Sequence, residues 1–162
     1  MKHFFVHHCP IGDIRIIENG KSITSLKFTV NQPNSLSDAI EKETPLIKEA
    51  IQQLTEYFDG NRTVFDVPIE VQGTEFQKRV WGALCTIPYG ETRSYKQVAA
   101  IANCPKGVRA VGMANNRNPI AIIIPCHRVI GADGSLTGYA AGLTVKQKLL
   151  QLEANRCNLK SI

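Results

Sequence analysis

Three pairs of a hydroxyl residue and a glutamine, each spaced three residues apart, mark helix starts in the second part of the chain. They are Thr74 and Gln77, Ser94 and Gln97, and Thr144 and Gln147. In such a capping box both side chains accept backbone N–H groups that a helix start leaves without a partner. Apolar residues follow at helical spacing. The pairs therefore predict a mainly helical domain over residues 71–162.

The first 70 residues have a different pattern, typical of a small α/β domain. Asn19-Gly20 separates apolar runs within residues 11–28, and both residues tolerate the positive φ of a hairpin turn. The polar stretch 31–43 predicts a loop, and VFDVPIEV at 64–71 predicts another strand.

One helix is predicted between these two stretches. Thr44 and Pro45 fit the N-cap and the first helical position, and Gly60 fits the stop. We therefore expect an α+β protein: an N-terminal hairpin-plus-helix domain over 1–70, and a helical domain over 71–162.

The charge of the chain is divided unevenly at the same boundary. Residues 1–70 hold 7 Lys+Arg and 10 Asp+Glu, a net charge of −3, whereas residues 71–162 hold 12 and 4, a net charge of +8. The second domain therefore has an electrostatic reason to bind a polyanion. A solvated basic surface is the alternative that charge alone leaves open.

Two short helices in the basic domain form a helix-turn-helix pattern. SYKQVAAIA at 94–102 and GVRAVGMAN at 107–115 are separated by a break at NCPKG. The second helix carries one long cation, Arg109, among small residues. Arg109 is suited to the space left by a displaced base, or to a simple phosphate contact. An ordinary helical hairpin is the alternative for the pattern as a whole.

Composition excludes several classes of protein. With 43% hydrophobic and 20% charged residues, the 162-residue chain resembles an ordinary globular protein. No apolar run approaches the roughly 18 residues of a membrane helix. The five cysteines are odd in number and irregularly spaced, which argues against a disulfide framework. We expect a cytoplasmic protein, nucleoid-associated if prokaryotic, with free thiols and no membrane partner.

A cluster of soft ligand types lies near the N-terminus. His3, His7, His8 and Cys9 are close in sequence, but Cys9 is the only cysteine before residue 85, so no paired C-x-x-C spacing accompanies them. We interpret them as surface residues and expect no metal.

The most reactive pair of side chains is Cys126-His127, which follows IAIIIP at 120–125. The apolar run predicts a short buried strand ended by Pro125. A lone cysteine there is typical of core filler, but an adjacent imidazole favours an ionised, reachable nucleophile. Neighbouring side chains in an extended segment point to opposite sides, so a water between sulfur and ring is expected.

The histidine also needs a partner on its other ring nitrogen. Only four acids follow residue 70, and Glu153 lies on an amphipathic last helix that is able to pack behind the strand. Glu153 is the best candidate by elimination, with an exposed helix glutamate as the alternative. Tyr139, among small residues, is suited either to the wall of a pocket for a flat ring or to simple packing.

Five stretches of the second domain carry a family likeness when taken together. They are FQKRVW (76–81), IPYGETRSYKQVA (87–99), RAVGMANNRNPIAIII (109–124), PCHRVI (125–130) and GYAAGL (138–143). They closely resemble the O6-alkylguanine-DNA alkyltransferases, also called methylated-DNA–protein-cysteine methyltransferases. The likeness is strong over about residues 74–154 and looser over the N-terminal domain.

The resemblance implies direct DNA repair. A minor-groove helix-turn-helix flips an O6-alkylguanine from duplex DNA, and the alkyl group moves irreversibly to Cys126, once per molecule. His127 would take the thiol proton through a water, and Glu153 would orient His127. Whether O4-alkylthymine is also repaired is left open. No cofactor is implied, and the cysteine pair with which some members bind zinc is absent.

The resemblance also implies a set of DNA-binding and base-binding residues. Arg109 would fill the gap left by the flipped base, and Tyr95 would donate toward the guanine ring. Asn118 would brace the junction between the recognition helix and the active-site strand. Further contacts are expected from Lys96, Tyr139, Ala140 and main-chain groups at Cys126 and Val129.

Three rival classes are weighed against this expectation. A cysteine hydrolase with a Cys-His-Glu relay does not need the basic helix-turn-helix. A non-catalytic lesion-binding relative would lack Cys126. A sequence-specific regulator is disfavoured by the single long polar side chain on the second helix. The expected partner is double-stranded DNA, bound by a monomer.

Overall fold

The computed structural model describes residues 1–30 and 36–160, with the backbone alone at 157–160. The chain forms two compact units, Met1–Val71 and Gln72–Ile162. Within the described part of the chain, no helix combines the length and apolar character needed to cross a membrane. The α+β class predicted from the sequence is confirmed.

The first unit is a four-stranded sheet in the order β3-β2-β1-β4. Its strands are β1 (His3–Cys9), β2 (Gly12–Glu18), β3 (Ile23–Phe28) and β4 (Ile40–Glu41). β2 pairs antiparallel with β1 and β3, and β4 lies parallel to β1. The predicted hairpin is therefore present, and β1, which the sequence analysis missed, extends its sheet.

The hairpin turn is stabilised by the asparagine that predicted it. The Asn19 side-chain oxygen accepts the backbone N–H groups of Lys21 (3.0 Å) and Ser22 (2.9 Å). Gly20 has φ +96°, in the left-handed region that glycine adopts without strain.

Helix α1 (Pro45–Phe58) packs against β1, β2 and β3. Thr44 is its N-cap and accepts the Ile47 N–H, and Gly60, with φ +79°, follows its C-cap Asp59, as the sequence predicts. The core between helix and sheet is mainly apolar. It includes Ile14, Ile16, Leu26, Ile47 and Leu54.

Two predictions for this unit need correction. Residues 64–71 form no strand: Gln53 accepts the backbone N–H groups of Asp66 (3.1 Å) and Val67 (3.3 Å), and only Ile69 bridges to Ile23. A side chain thus satisfies the backbone that a ladder would have used. Within the predicted loop 31–43, residues 40–41 pair as β4, and residues 31–35 lie outside the described residues.

The second unit is mainly helical, as predicted. Its elements are α2 (Glu75–Leu84), β5 (Arg93–Ser94), α3 (Tyr95–Ile101), α4 (Val108–Asn116), a 3₁₀ turn (Cys126–Arg128), β6 (Val129–Ile130) and α5 (Leu143–Lys160). α2, α3 and α4 pack on one another. The indole N–H of Trp81 in α2 donates to the Ala114 carbonyl of α4 (2.9 Å). α3 and α4 confirm the predicted helix-turn-helix.

Two of the three predicted capping boxes are present. Thr74 with Gln77, and Ser94 with Gln97, make both reciprocal hydrogen bonds. The third prediction is wrong, because α5 begins at Leu143 and Thr144 lies inside its first turn. The Lys146 N–H donates to the Gly142 carbonyl (3.2 Å), which starts the helix two residues earlier than the pattern suggested.

The prediction of a strand over residues 120–125 is also wrong. Residues 121–124 form a turn in which Ile122 has φ +70°, a strained conformation for a β-branched residue. The Asn118 side chain stabilises the turn, since it donates to the Ile124 carbonyl (2.7 Å) and accepts the Ile120 N–H (3.0 Å). The short strand near Cys126 is β6, on the other side of that residue, and it pairs parallel with β5.

Candidate active site

Cys126 begins the 3₁₀ turn and is 5% exposed. Burial raises the pKa of its thiol, whereas a hydrogen bond with Asn118 and the positive charge of Lys146 act in the opposite direction. The resting protein therefore holds a protonated, nearly covered thiol. The expectation of an ionised, reachable sulfur is wrong for this state, so the site needs a base that removes the proton.

His127 is positioned to be that base. Its ring is fully buried, and Nε2 lies 2.7 Å from Oε2 of Glu153. Burial lowers the pKa of His127, with the Glu153 carboxylate opposing, so the ring is neutral at neutral pH. An Nε2–H that donates to Glu153 leaves Nδ1 as the acceptor.

The second ring nitrogen of His127 has no partner within the described residues. Nδ1 is buried and makes no hydrogen bond there, so His127 does not hydrogen-bond to the thiol directly. The sequence prediction that direct contact is awkward agrees with this geometry, although the segment is a 3₁₀ turn and not a strand. Nδ1 is thus free to accept a proton relayed from its neighbour Cys126.

Glu153 in α5 is surrounded by donors. Arg128 donates from Nε to Oε1 (2.8 Å) and from a terminal nitrogen to Oε2 (3.0 Å), and the Gly90 N–H donates to Oε1 (3.3 Å). Burial acts to raise the pKa of Glu153, but His127 and Arg128 outweigh it and lower the pKa to about 2. The carboxylate stays ionised and is able to stabilise a protonated His127.

Arg128 lies in the PCHRV motif, and no role was predicted for it from the sequence. Besides Glu153, it donates to the Ile87 carbonyl (2.7 Å), and its guanidinium lies 5.7 Å from the centre of the Tyr89 ring. It is 6% exposed. Its two hydrogen bonds to Glu153 fix the plane of that carboxylate, and therefore the orientation of the His127 imidazole.

Lys146 is a second residue that sequence reasoning missed. It is fully buried, and its Nζ donates to the Thr137 carbonyl (2.8 Å) and lies 5.9 Å from the centre of the Tyr95 ring. Burial lowers its pKa to about 8, opposed by Cys126. Its charge favours the thiolate over the thiol.

The loop 131–142 brings Tyr139, one of the predicted pocket residues, close to Cys126. The Tyr139 hydroxyl is buried, and burial together with nearby Cys126 raises its pKa well above the usual value. Tyr95, expected to donate toward a base, donates to the Thr137 carbonyl (2.8 Å) in this structure. Ala140 is exposed at the loop surface, and Val129 is buried in β6.

The predicted DNA-binding cations lie elsewhere, on the helix-turn-helix. Arg109 in the first turn of α4 and Lys96 in α3 are both exposed. Asn118, which follows α4, holds the turn that leads to Cys126. The structure thus brings together Cys126, His127, Glu153, Asn118 and Tyr139, and leaves the two cations on a helical surface.

The N-terminal histidines are distributed along a strand. His3 Nδ1 lies 2.8 Å from Oε1 of Glu18, and His8 Nδ1 lies 2.6 Å from Oδ1 of Asp13. Across the described ranges 1–30 and 36–160, no group of three or more His, Cys, Asp or Glu side chains is arranged to hold a metal ion.

Two family models together match nearly the whole chain. Residues 75–155 match the DNA-binding domain of 6-O-methylguanine DNA methyltransferase, and residues 3–71 match the ribonuclease-like domain of the same family. The chain belongs to the 6-O-methylguanine DNA methyltransferase family.

Curated relatives agree with this membership. The chain is 50% identical over 155 residues to the methylated-DNA–protein-cysteine methyltransferase of Methanosarcina barkeri, covering 94% of this chain and 98% of the relative. It is 46% identical over 158 residues to the constitutive Bacillus subtilis protein of the same name, covering 94% and 96%.

Solved structures of the family have the same fold. The O6-methylguanine methyltransferase of Mycobacterium tuberculosis matches with a TM-score of 0.90 at 46% identity, covering 96% of this chain and 94% of that chain. A structure titled M. tuberculosis OGT in complex with DNA matches with a TM-score of 0.88, covering 95% and 94%.

Membership decides between the classes weighed from the sequence. As a 6-O-methylguanine DNA methyltransferase family member, the protein is an enzyme that repairs DNA by transferring an alkyl group to a cysteine, and DNA is its partner. The resemblance inferred from the PCHRV region is confirmed. The hydrolase, the non-catalytic binder and the sequence-specific regulator are set aside.

Proposed function

We propose that Cys126 is the acceptor and that the substrate is O6-alkylguanine in double-stranded DNA. The observation that carries the proposal is the buried series Cys126, His127, Glu153, in which a neutral imidazole with one free nitrogen follows a protonated thiol. Four cysteines have described side chains, and Cys126 is the one beside such a base.

The transfer is a displacement at the alkyl carbon. The thiol proton passes to Nδ1 of His127 through a water, and the resulting imidazolium is stabilised by Glu153. The sulfur lone pair forms the S–C bond while the C–O6 bond breaks and its electron pair leaves with guanine. Tyr95 donates toward the purine ring as this negative charge develops. The thioether is stable, so each molecule reacts once.

The DNA must present its base outside the helical stack, because an O6-alkyl group within the duplex is out of reach of a buried sulfur. We assign this step to the helix-turn-helix in the minor groove, with Arg109 filling the vacated space and Lys96 contacting the backbone. Their exposure on α4 and α3 and the net charge of +8 over residues 71–162 support the assignment.

The pocket for the flipped base is formed by the loop after β6. Tyr139 and Ala140 would line it, and main-chain groups at Cys126 and Val129 would bind the base edge. Tyr95 would exchange its bond with the Thr137 carbonyl for one to the base. No cofactor enters the mechanism, and O4-alkylthymine is a second substrate to be tested in the same assay.

We further propose that the protein acts as a monomer in the cytoplasm, a reducing compartment in which its thiols persist. The four cysteines with described side chains are all free, which fits this setting. Size-exclusion chromatography with light scattering and cell fractionation test the two statements.

The decisive experiment is intact-protein mass spectrometry after incubation with duplex DNA containing O6-methylguanine, followed by peptide mapping. We expect the addition of one methyl group, located on Cys126, with no further addition when lesion is in excess. Cys126→Ser should bind the duplex and gain no methyl group, whereas Cys85→Ser should react like the wild type. Repeated turnover, or a methyl group on another cysteine, would contradict the proposal.

A further inference from the structure

A cleft of about 180 Å³ lies between the start of α2 and one face of α4. We call it the α2–α4 cleft, and it is lined by Thr74, Phe76, Gln77, Ala110, Met113, Ala114 and Arg117. The four lining residues from α4 follow the i, i+3, i+4, i+7 spacing that places side chains on one helix face. Both helices lie within the residues that match the DNA-binding domain, so the cleft is continuous with a surface that binds DNA.

The α2–α4 cleft combines exposed apolar surface with positive charge. Met113 is 58% exposed, although it is a large apolar residue. The Arg117 side chain is exposed and makes no hydrogen bond or ion pair within the described residues. A second guanidinium, that of Arg79, lies 5.8 Å from the centre of the Phe76 ring. Apolar surface between two cations complements a deoxyribose between two phosphates.

A different side of α4 is directed towards the pocket for the base. A Cβ atom on Gly112 would lie 3.8 Å from the Tyr95 ring, and a Cβ atom on Gly138 of the pocket loop would lie 3.4 Å from the Asn116 amide. Gly112 and Asn116 are four residues apart and share one side of the helix. At 3.6 residues per turn, that side lies roughly 130° around α4 from the face that lines the α2–α4 cleft. The pocket and the cleft therefore flank the helix.

A helix that lies in the minor groove has one DNA strand on each side. The lesion strand must lie on the side of the pocket, because its base enters the pocket, and the other strand then lies on the side of the α2–α4 cleft. We propose that this cleft binds the backbone of the strand opposite the lesion, with Arg117 on a phosphate and Met113 against the adjacent deoxyribose. This role rests on the proposed function. Arg117 is thus a positioning residue that holds the opposite strand while the damaged base leaves the stack.

The test neutralises one phosphate at a time. Duplexes containing O6-methylguanine carry a single methylphosphonate at successive positions of either strand, and Kd is measured by fluorescence anisotropy in the Cys126→Ser background, which does not react. We expect Arg117→Met to weaken binding to the unmodified duplex about five- to tenfold and to reduce the slope of log Kd against log salt by about 0.9. This penalty should fall below about twofold for one neutral position in the opposite strand, and persist for every position in the lesion strand.

Lys148→Met is the matched control, because it removes the same charge from an exposed position of α5 outside the cleft, and it should weaken binding by less than about twofold. Arg117→Lys keeps the charge and should restore most of the affinity. Arg117→Gln repeats the measurement if Arg117→Met does not fold by circular dichroism. A penalty no larger than that of Lys148→Met, one that no neutral position removes, or one removed by a neutral phosphate in the lesion strand would overturn the inference. A wild type that leaves Cys126 unmethylated would instead overturn the proposed function.

Discussion

Each unit of the protein contains a histidine bonded to a buried glutamate, and the two pairs differ in what surrounds them. His3 and Glu18 meet at 2.8 Å across β1 and β2, with side chains 23% and 4% exposed. His127 and Glu153 meet at 2.7 Å, with side chains 0% and 1% exposed. The distances are nearly equal, so the bond alone does not make a catalytic site.

The difference lies in the neighbours of the second pair. Cys126 precedes His127, and Arg128 follows it and fixes Glu153 by hydrogen bonds. Nδ1 of His127 is buried and has no hydrogen-bond partner in the described residues. His3 lies instead in a strand between Lys2 and Phe4. A histidine is therefore suited to act as the base in this chemistry when its second ring nitrogen makes no hydrogen bond and a thiol lies beside it.

Replacing each histidine by glutamine should give the largest difference between the two pairs in the rate of methyl transfer. We expect His127→Gln to slow methyl transfer by about 10²–10⁴-fold, the usual contribution of a general base. The transfer rate of His3→Gln should stay within about twofold of the wild-type rate, because the His3 ring lies in the sheet of the first unit and takes no part in the reaction. Single-turnover rates with a methylated duplex measure both. A large loss in His3→Gln would contradict the comparison.

Arg128 should matter for folding as well as for orientation. Arg128→Met leaves Glu153 as a buried charge with less compensation, and we expect it to destabilise the second unit by about 3–5 kcal/mol. Trp81, the only tryptophan of the sequence, reports that unit in urea unfolding. Arg93→Met removes a more exposed partner of Glu91 and should change stability by less than about 1 kcal/mol.

The second pair should also make its unit sensitive to acid. The folded pKa of Glu153 is lowered to about 2 from 4.5, so its stabilisation is present above pH 4.5 and is lost as pH falls towards 2. The shift corresponds to about 3 kcal/mol. The lowered pKa of buried His127 acts in the same direction below pH 6.5, since protonation favours the unfolded chain.

Unfolding followed by Trp81 fluorescence at several pH values tests this expectation. In Glu153→Gln the free energy of unfolding should fall less between pH 4.5 and 2 than in the wild type. In Glu18→Gln its dependence on pH should match that of the wild type. Parallel profiles for wild type and Glu153→Gln would show that the carboxylate is not the acid-sensitive group.

The smallest effect is expected at Lys146, whose positive charge favours the thiolate form of Cys126 in the second unit. Lys146→Met should raise the pKa of Cys126 and slow transfer at pH 7 by about tenfold, equivalent to about one unit of thiol pKa. Because the pKa of Lys146 is about 8, the wild-type rate should decline above that pH as the charge is lost. The variant should lack this decline in its pH–rate profile.

The sequence predicted the elements whose signals are local. Capping pairs located α2 and α3, and Asn19-Gly20 located the hairpin, because each depends on hydrogen bonds within a few residues. The strand expected over 120–125 failed because side-chain bonds from Asn118 replaced a ladder. Strand β1 was missed because its histidines and aromatic residues do not alternate clearly.

The active site was predictable in part. The motif and the scarcity of acids identified Cys126, His127 and Glu153, and the structure brings the last two together. Arg128 and Lys146 had no local signal, because the groups to which they donate hydrogen bonds come from other segments. The protonated state of Cys126 was also missed, since burial depends on the whole fold.

The central claim is that Cys126 rests as a thiol and reacts when His127 takes its proton, and the pH dependence of methyl transfer tests it most directly. The wild-type rate should be nearly level across neutral pH. In His127→Gln the slow remaining rate should rise about tenfold per pH unit between about pH 6 and 8, because solvent must then ionise the thiol. Parallel profiles in the two proteins would contradict the account.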